Sequence, residues 1–334
     1  YDLTKNTLLE HSPDIKTTTQ LKASFRPGAT CPLWVKSINE MLLNDQESSD
    51  LLQEFFGLCL TKIMKFEKAL ILVGDGANGK SVIVHVLSRL LGSDNCSAIP
   101  LEKFDNSHYL AGLFGKLANI SIESPANMEI YDSTFKAVVS GDEIAADHKF
   151  GKPFKFSPFC KLVIALNTLP RVSDKTDGYF RRLLILRFPR QFSEQEQDKT
   201  LKHKLESELD GILLWALEGL RRLSDRGHFA TPKKIAKEIN EYRLLNNSVL
   251  AFIEEDCTLS PSEQISKADL YRCYQIWCNE NGLKPVSKKK VAIEIERHFP
   301  RVGGQRSGTG RFWQGVGARK SNLTEDFPTE ASDL

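Results

Sequence analysis

The sequence predicts an α/β fold: a sheet with covering helices, a small helical region before it and a separate basic module after it. Three observations carry this reading. Between Ala69 and about Pro189, short β-rich runs ("ALILV", "LANISIES", "KLVIALN", "LLILRF") alternate with helical ones. The first run leads into "GDGANGKS" at residues 74–81 and then into the helical "VIVHVLSRLL", which is the strand, loop and helix order of a phosphate-binding loop. Beyond residue 261 the pattern changes to two helical segments followed by two short strands around a glycine-rich turn.

Taken in order, residues 1–66 read as a polar, extended lead and a helical preface. In the preface, "CPLWVKSINEMLLND" and "SSDLLQEFFGLCLTKIM" place apolar residues at helical spacing, with Ser48 and Ser49 as cap positions for the second helix. Residues 67–230 form the sheet domain, closed by a helix over "SEQEQDKTLKHKLESELDGILLWALEGLRRLSDRG". Residues 231–261 read as a helical connector. Residues 262–317 fit a winged-helix-like module, with "SKADLYRCYQIWCNENG" and "SKKKVAIEIERHF" as its helices and "RVGGQRSGTGRFWQGV" as its wing. Tyr274, Trp277 and Trp313 read as core, and the acidic residues 318–334 as a disordered tail.

With 334 residues and 41% hydrophobic content, the chain can bury cores for two or three domains. No apolar stretch reaches the ~20 residues of a membrane span, and the opening residues lack a signal-peptide layout. Tyr1 stands where an initiator Met would, which marks the sequence as a candidate fragment. The seven cysteines are scattered, with no C-x-x-C pair, and this argues for reduced thiols in a cytosolic compartment and against a zinc site. The formal net charge of +2 hides an uneven distribution: residues 284–320 carry a local +8 and the last fourteen residues −4. A basic segment of this kind suits a polyanion such as nucleic acid, and equally a merely solvated face.

The loop carries the most chemistry. Gly74, Gly76 and Gly79 permit backbone conformations that turn successive N–H groups toward a phosphate at the start of a helix, with Asp75, Ala77 and Asn78 completing the cradle. Lys80 reaches the β and γ phosphates of ATP, and the Ser81 hydroxyl is offered to Mg²⁺. Glu123, at the end of "NISIE", is a carboxylate placed to bind Mg²⁺ or to orient an attacking water. Two β-prone runs flank "DHKFGKP" as a hairpin. A buried strand then delivers Asn167, and "DGYFRRLLILRF" places Arg181 and Arg182 before a further strand. Taken singly, Asn167 before "TLP" also reads as a turn residue, and the arginines as a surface pair.

The order of these motifs resembles that of the superfamily 3 helicases of viruses, satellite phages and plasmids, above all the helicase half of alpha-type primase-helicases. The resemblance covers about residues 28–317, including "CPLWVKSINEML", "KAVVSGDEIAADHKFGKPFKFSPFCKLVIALNTLP" and a C-terminal module similar to that of poxvirus-type primase-helicases. It implies an AAA+-type P-loop ATPase core that forms a homo-hexameric ring and moves 3′ to 5′ on single-stranded DNA, with forked duplex as its substrate, in a bacterial host cytoplasm. Lys80 and Ser81 then contact ATP and Mg²⁺, Glu123 is the Walker B acid, Asn167 the polar sensor, and Arg181 or Arg182 the finger inserted into a neighbour's site. The hairpin of Ala146 to Phe156 would carry DNA contacts at His148, Lys149 and Lys152. Glu123 stands alone where the wider superfamily often has two acids; Asp142 and Glu143 are further acids along the chain.

In the basic module, Lys288, Lys289, Lys290, Arg306 and Arg311 are candidates for duplex phosphate contacts. The resulting expectation is an ATP-dependent replicative DNA helicase, with a primase domain or partner preceding Tyr1 as one arrangement. A replication initiator that uses ATP to assemble on an origin without unwinding is the alternative. A small-molecule kinase explains the loop but neither the hairpin nor the arginine pair.

Overall fold

The computed structural model describes residues 2, 7–10, 12–15, 17–122, 132–149, 151–170, 172, 176–230, 232–307 and 310–319. They fall into two compact units, residues 1–240 and 241–334.

The first unit begins with α1 (Pro32–Met41) and α2 (Gln46–Cys59). Helix α1 starts on Pro32 and buries Trp34, Ile38 and Met41 on one face. Helix α2 starts three or four residues earlier than Ser48 or Ser49 as its cap would place it. The Asp45 carboxylate caps it, accepting from the Ser48 N–H at 3.1 Å and the Ser48 hydroxyl at 3.0 Å. Ser48 and Ser49 therefore lie buried inside the first turn.

The core follows as β1 (Ala69–Val73), α3 (Lys80–Leu91), β2 (Cys96–Ser97), α4 (Ser107–Leu110), β3 (Ala118–Ile122), α5 (Asp132–Ser140), the pair β4 (Ile144–Ala146) and β5 (Phe154–Phe156), then β6 (Lys161–Leu166), α6 (Asp177–Phe180) and β7 (Leu183–Arg187). Five strands form a central parallel sheet in the order β2-β3-β6-β1-β7. Every residue of β1 and β6 is buried, as expected for inner strands of a parallel sheet covered on both faces. The predicted hairpin is present: β4 and β5 pair antiparallel, with Ala146 opposite Phe154.

The long helix read over residues 193–227 is two helices, α7 (Leu201–Glu206) and α8 (Leu209–Arg226), and residues 193–200 are not helical. There the Glu196 carboxylate accepts from the Ser193 N–H and hydroxyl, a local turn that competes with the helix. Helix α8 packs on α2. Glu54, only 1% exposed, is neutralised by Arg222 at 2.8 Å and by Arg226, while Trp34 and Trp215 meet edge to face. Helix α9 (Lys233–Asn246) contains the division between units.

The second unit holds α10 (Ser248–Asp256), β8 (Cys257–Ser266), α11 (Lys267–Glu280), α12 (Lys288–His298), β9 (Gly303–Ser307) and β10 (Gly310–Ala318). The strands form an antiparallel sheet in the order β8-β10-β9. Tyr274, Trp277 and Trp313 are buried in this unit's core, together with Phe252 of α10. The stretch read as a connector thus contributes α10 and the start of β8 to that core.

Candidate functional site: a glycine loop at the end of an inner strand

Strand β1 ends at Val73, and the chain must turn before α3 begins at Lys80. Two close approaches fix the turn. A Cβ on Gly74 would lie 2.0 Å from Asn78 Nδ2, so the Asn78 side chain folds back over the loop's base only because position 74 has none. Gly79 has φ +89°, and a Cβ there would lie 2.4 Å from the Met41 sulfur. The first N–H groups of α3, which no intrahelical carbonyl can satisfy, together with the positive end of the helix, open onto this loop. Asn78 is 2% exposed, and its Nδ2 has no hydrogen-bond partner among the described residues. A buried donor of that kind, beside a helix N-terminus, fits an anionic ligand. Asp75 and Ala77 are exposed, and Ser81, on the first turn of α3, is exposed as well.

The strand order decides what faces the loop. Because β6 is inserted between β3 and β1, its C-terminal end lies beside the loop. There Lys80 Nζ donates to the Asn167 Oδ1 at 3.3 Å, to the Asn78 Oδ1 at 3.1 Å and to the Gly74 carbonyl. The structure therefore brings Asn78 and Lys80 of the loop together with Asn167, 87 residues further along the chain. Glu123 lies outside the described residues. Strand β3 can be followed to Ile122, opposite Ala165 of β6.

The arginine pair sits at the other end of the sheet. Strands β1 and β7 are parallel, with Ala69 opposite Leu183 and Val73 opposite Arg187, and the Ala69 N–H donates to the Arg182 carbonyl at 2.8 Å. The length of β1 separates the pair from its own loop by roughly 17 Å at about 3.3 Å per residue. The two side chains differ. That of Arg182 is 10% exposed, donates to the Ser140 hydroxyl and the Gly178 carbonyl, and lies 3.1 Å from Glu67; that of Arg181 is 65% exposed and 3.8 Å from Glu67. The Lys68 ammonium, which donates to the Arg181 carbonyl, is held below its usual range by burial and then by the two guanidinium groups.

In the hairpin, His148 stacks on Phe154 at 5.2 Å, and Lys149 and Lys152 are exposed. In the second unit, Lys288, Lys289 and Lys290 form the first turn of α12, where cations oppose the helix dipole. Lys290 pairs with Glu294 at 3.0 Å, and Lys288 lies 5.2 Å over the Tyr271 ring. Arg306 and Arg311 are exposed and directly opposite each other across β9 and β10, a like-charge pair that destabilises the sheet.

Sequence reasoning missed one wall of the site. Beside Gly79 and Ser81 opens a cavity of about 500 Å³, lined by Met41 of α1, Val82, Phe192 and Leu201. Phe192 is tied in by its N–H, which donates to the Ala77 carbonyl at 2.8 Å, and Arg190 lies 4.5 Å over its ring. No local pattern marks these residues, because only tertiary packing brings positions 41 and 192 to the loop.

Residues 72–182 match the family described as "Family of unknown function (DUF5906)", and residues 245–328 match that described as "Poxvirus D5 protein-like". A protein of Acanthamoeba polyphaga mimivirus that carries the provisional name of helicase is 25% identical over 283 residues. The match takes in 74% of this chain but only 28% of that relative, so the chain corresponds to a little over a quarter of its length. Two apo structures of the NrS-1 C-terminal region share the fold, each with a TM-score of 0.57 over 90% of this chain. They cover 80% and 79% of those chains at 15% and 14% identity. The chain is thus similar to a viral protein named as a helicase, and it has the mixed α/β fold of the NrS-1 region.

Proposed function

We propose that the chain is the ATP-driven motor of a replicative DNA helicase, with a superfamily 3, AAA+-type core and a winged-helix-like module that grips duplex DNA. The observation that carries this reading is the joining of Lys80 to Asn167 at the mouth of a glycine loop, beside a cavity of nucleoside size. The helicase name of the mimivirus relative supports it.

Within this reading, Lys80 exchanges its contacts with Gly74, Asn78 and Asn167 for the β and γ phosphate oxygens and stabilises the charge developing on them. Asn167, once released, is a neutral amide able to orient the attacking water. Met41 and Phe192 line the space next to the loop where the nucleoside lies. The Ser81 hydroxyl and the Glu123 carboxylate would hold Mg²⁺, whose chemistry is charge neutralisation between the phosphates. The separation of Arg181 from its own loop supports a role in trans, in which this exposed guanidinium reaches the site of the next subunit of a ring. Arg182 anchors the segment that presents it.

The hairpin cations hold single-strand phosphates without reading bases, and the α12 lysines with Arg306 and Arg311 hold duplex phosphates. Polarity is tested by comparing displacement of duplexes carrying a 3′ tail with those carrying a 5′ tail. The proposal expects multiple-turnover displacement with the 3′ tail, and stoichiometric displacement alone would favour an assembly switch.

A further inference from the structure

Phe114 is a large apolar side chain in a position where the fold has no need of one. It is 59% exposed, although the residues on either side of its turn, Leu113 and Leu117, are fully buried. It follows a short 3₁₀ turn (Ala111–Leu113), and Gly115 after it has φ +74°, so the ring is presented on a tight, anchored loop. The ring is also braced. It meets Phe154 at 5.7 Å and Phe156 at 5.3 Å, both edge to face.

The aromatic surface continues through Phe154 to His148, stacked on it at 5.2 Å with the planes 22° apart. The hairpin carrying these rings is docked onto the segment before Phe114. His108 Nδ1 lies 2.7 Å from the Asp147 carboxylate, and the Asp147 N–H donates to the Ser107 carbonyl at 3.4 Å. Lys149 and Lys152 on the same hairpin are exposed, Lys103 lies 6.0 Å over the ring of the exposed Tyr109, and Lys155 pairs with Glu143 at 3.0 Å.

We infer that Phe114, with Phe154 and His148, is a stacking platform for the unpaired bases of a single-stranded nucleic acid. The inference rests on the helicase reading above and adds to it a contact made with bases, next to lysines that hold phosphates. The pairing of open ring surface with flanking positive charge is the chemistry a single strand requires. A duplex hides its base faces, and an apolar protein surface would make no use of the exposed lysines on the same hairpin. Hydropathy does not pick Phe114 out, because "AGLFGKLAN" reads simply as the approach to a buried strand.

The test is equilibrium binding of the full chain to a labelled single-stranded oligodeoxynucleotide and to an abasic oligomer of the same length, each over a salt series. Phe114→Ala is expected to weaken binding of the base-containing strand by roughly tenfold or more. It should leave the abasic strand and both salt slopes unchanged, and Phe114→Tyr should restore binding. Lys152→Ala should flatten the salt slope for both oligomers. Equal affinity of wild type and Phe114→Ala for the base-containing strand would overturn the platform. So would a loss of self-association, seen by native mass spectrometry, with strand binding intact, which would make Phe114 a subunit contact. If wild type binds neither oligomer, the helicase reading itself fails along with the platform.

Discussion

Lys80 Nζ and Asn167 Oδ1 lie 3.3 Å apart although 87 residues separate them in the chain. The contact exists because β6, whose end delivers Asn167, pairs with β1, whose end delivers the loop, in a parallel register that aligns Val73 with Leu166. The ammonium is also held by the Asn78 amide and the Gly74 carbonyl, so three neutral oxygens fix it at the mouth of the loop.

Removing either side of this contact should affect turnover more than folding. Lys80→Ala is expected to abolish ATP hydrolysis. Asn167→Ala should lower kcat by about 10²–10³-fold with a smaller change in KM, as for loss of one positioned polar group in a transition state. Steady-state kinetics alongside circular dichroism checks this. A kcat within threefold of wild type for Asn167→Ala would remove Asn167 from the reaction.

The two arginines should separate stability from activity. Arg182→Ala breaks a buried set of contacts with Ser140, Gly178 and Glu67 and should cost about 1–3 kcal/mol in denaturant unfolding. Arg181→Ala should change stability by no more than about 0.5 kcal/mol and yet lose hydrolysis. Mixing it with Lys80→Ala subunits should restore part of that hydrolysis, because some interfaces then pair an intact lysine with an intact arginine. Mixed assemblies that form but stay inactive would remove the role in trans.

How much could be read from sequence follows from how local each signal is. The four long core strands, the loop and the hairpin were legible because each is written in contiguous residues: unbroken apolar runs, glycines at fixed offsets, β-prone stretches about a turn. The cap of α2 was misread by a few residues because the Asp45 carboxylate takes both the N–H and the hydroxyl of Ser48, which draws the serines into the first turn. The late start of α7 was missed because the polar 193–200 stretch is compatible with helix until Glu196 is seen to bind Ser193. Different neighbourhoods for Arg181 and Arg182, and the wall made by Met41 and Phe192, are tertiary facts with no local trace. Strand order, which puts Asn167 beside Lys80, belongs with them.

The basic module should show a trade between stability and binding. Because Arg306 and Arg311 face each other across the ladder, Arg306→Thr should stabilise the second unit by about 0.2–1 kcal/mol. It should also weaken duplex binding and reduce the salt slope by about 1. Denaturant melts and binding titrations measure the two effects. Unchanged duplex affinity would assign the β9–β10 pair to another partner.

Lys161 gives the first unit a pH signature. It is 2% exposed, donates to the Phe159 carbonyl at 2.9 Å and to the Thr61 carbonyl, and burial brings its ammonium down from 10.5 to about 8 against the opposing pull of the Cys59 and Cys160 thiols. Between those two values the unfolded chain holds more protons than the folded one, so this group makes unfolding harder as pH rises; below about 8 the folded state carries the whole cost of a buried cation. The unfolding free energy of wild type minus that of Lys161→Met should therefore climb from pH 8 toward 10.5, by up to about 1.4 kcal/mol per pH unit. Parallel curves for the two proteins would show that Lys161 titrates normally.

The central claim, that this loop turns ATP hydrolysis into movement on DNA, is tested most directly by measuring ATP hydrolysis and displacement of a 3′-tailed duplex in the same reaction, for wild type and Lys80→Ala. The account predicts hydrolysis that rises when single-stranded DNA is added, several strands displaced per enzyme assembly, and loss of both in Lys80→Ala with its fold intact. Hydrolysis in wild type no greater than in Lys80→Ala, or DNA-stimulated hydrolysis with no displacement from either tail, would contradict it.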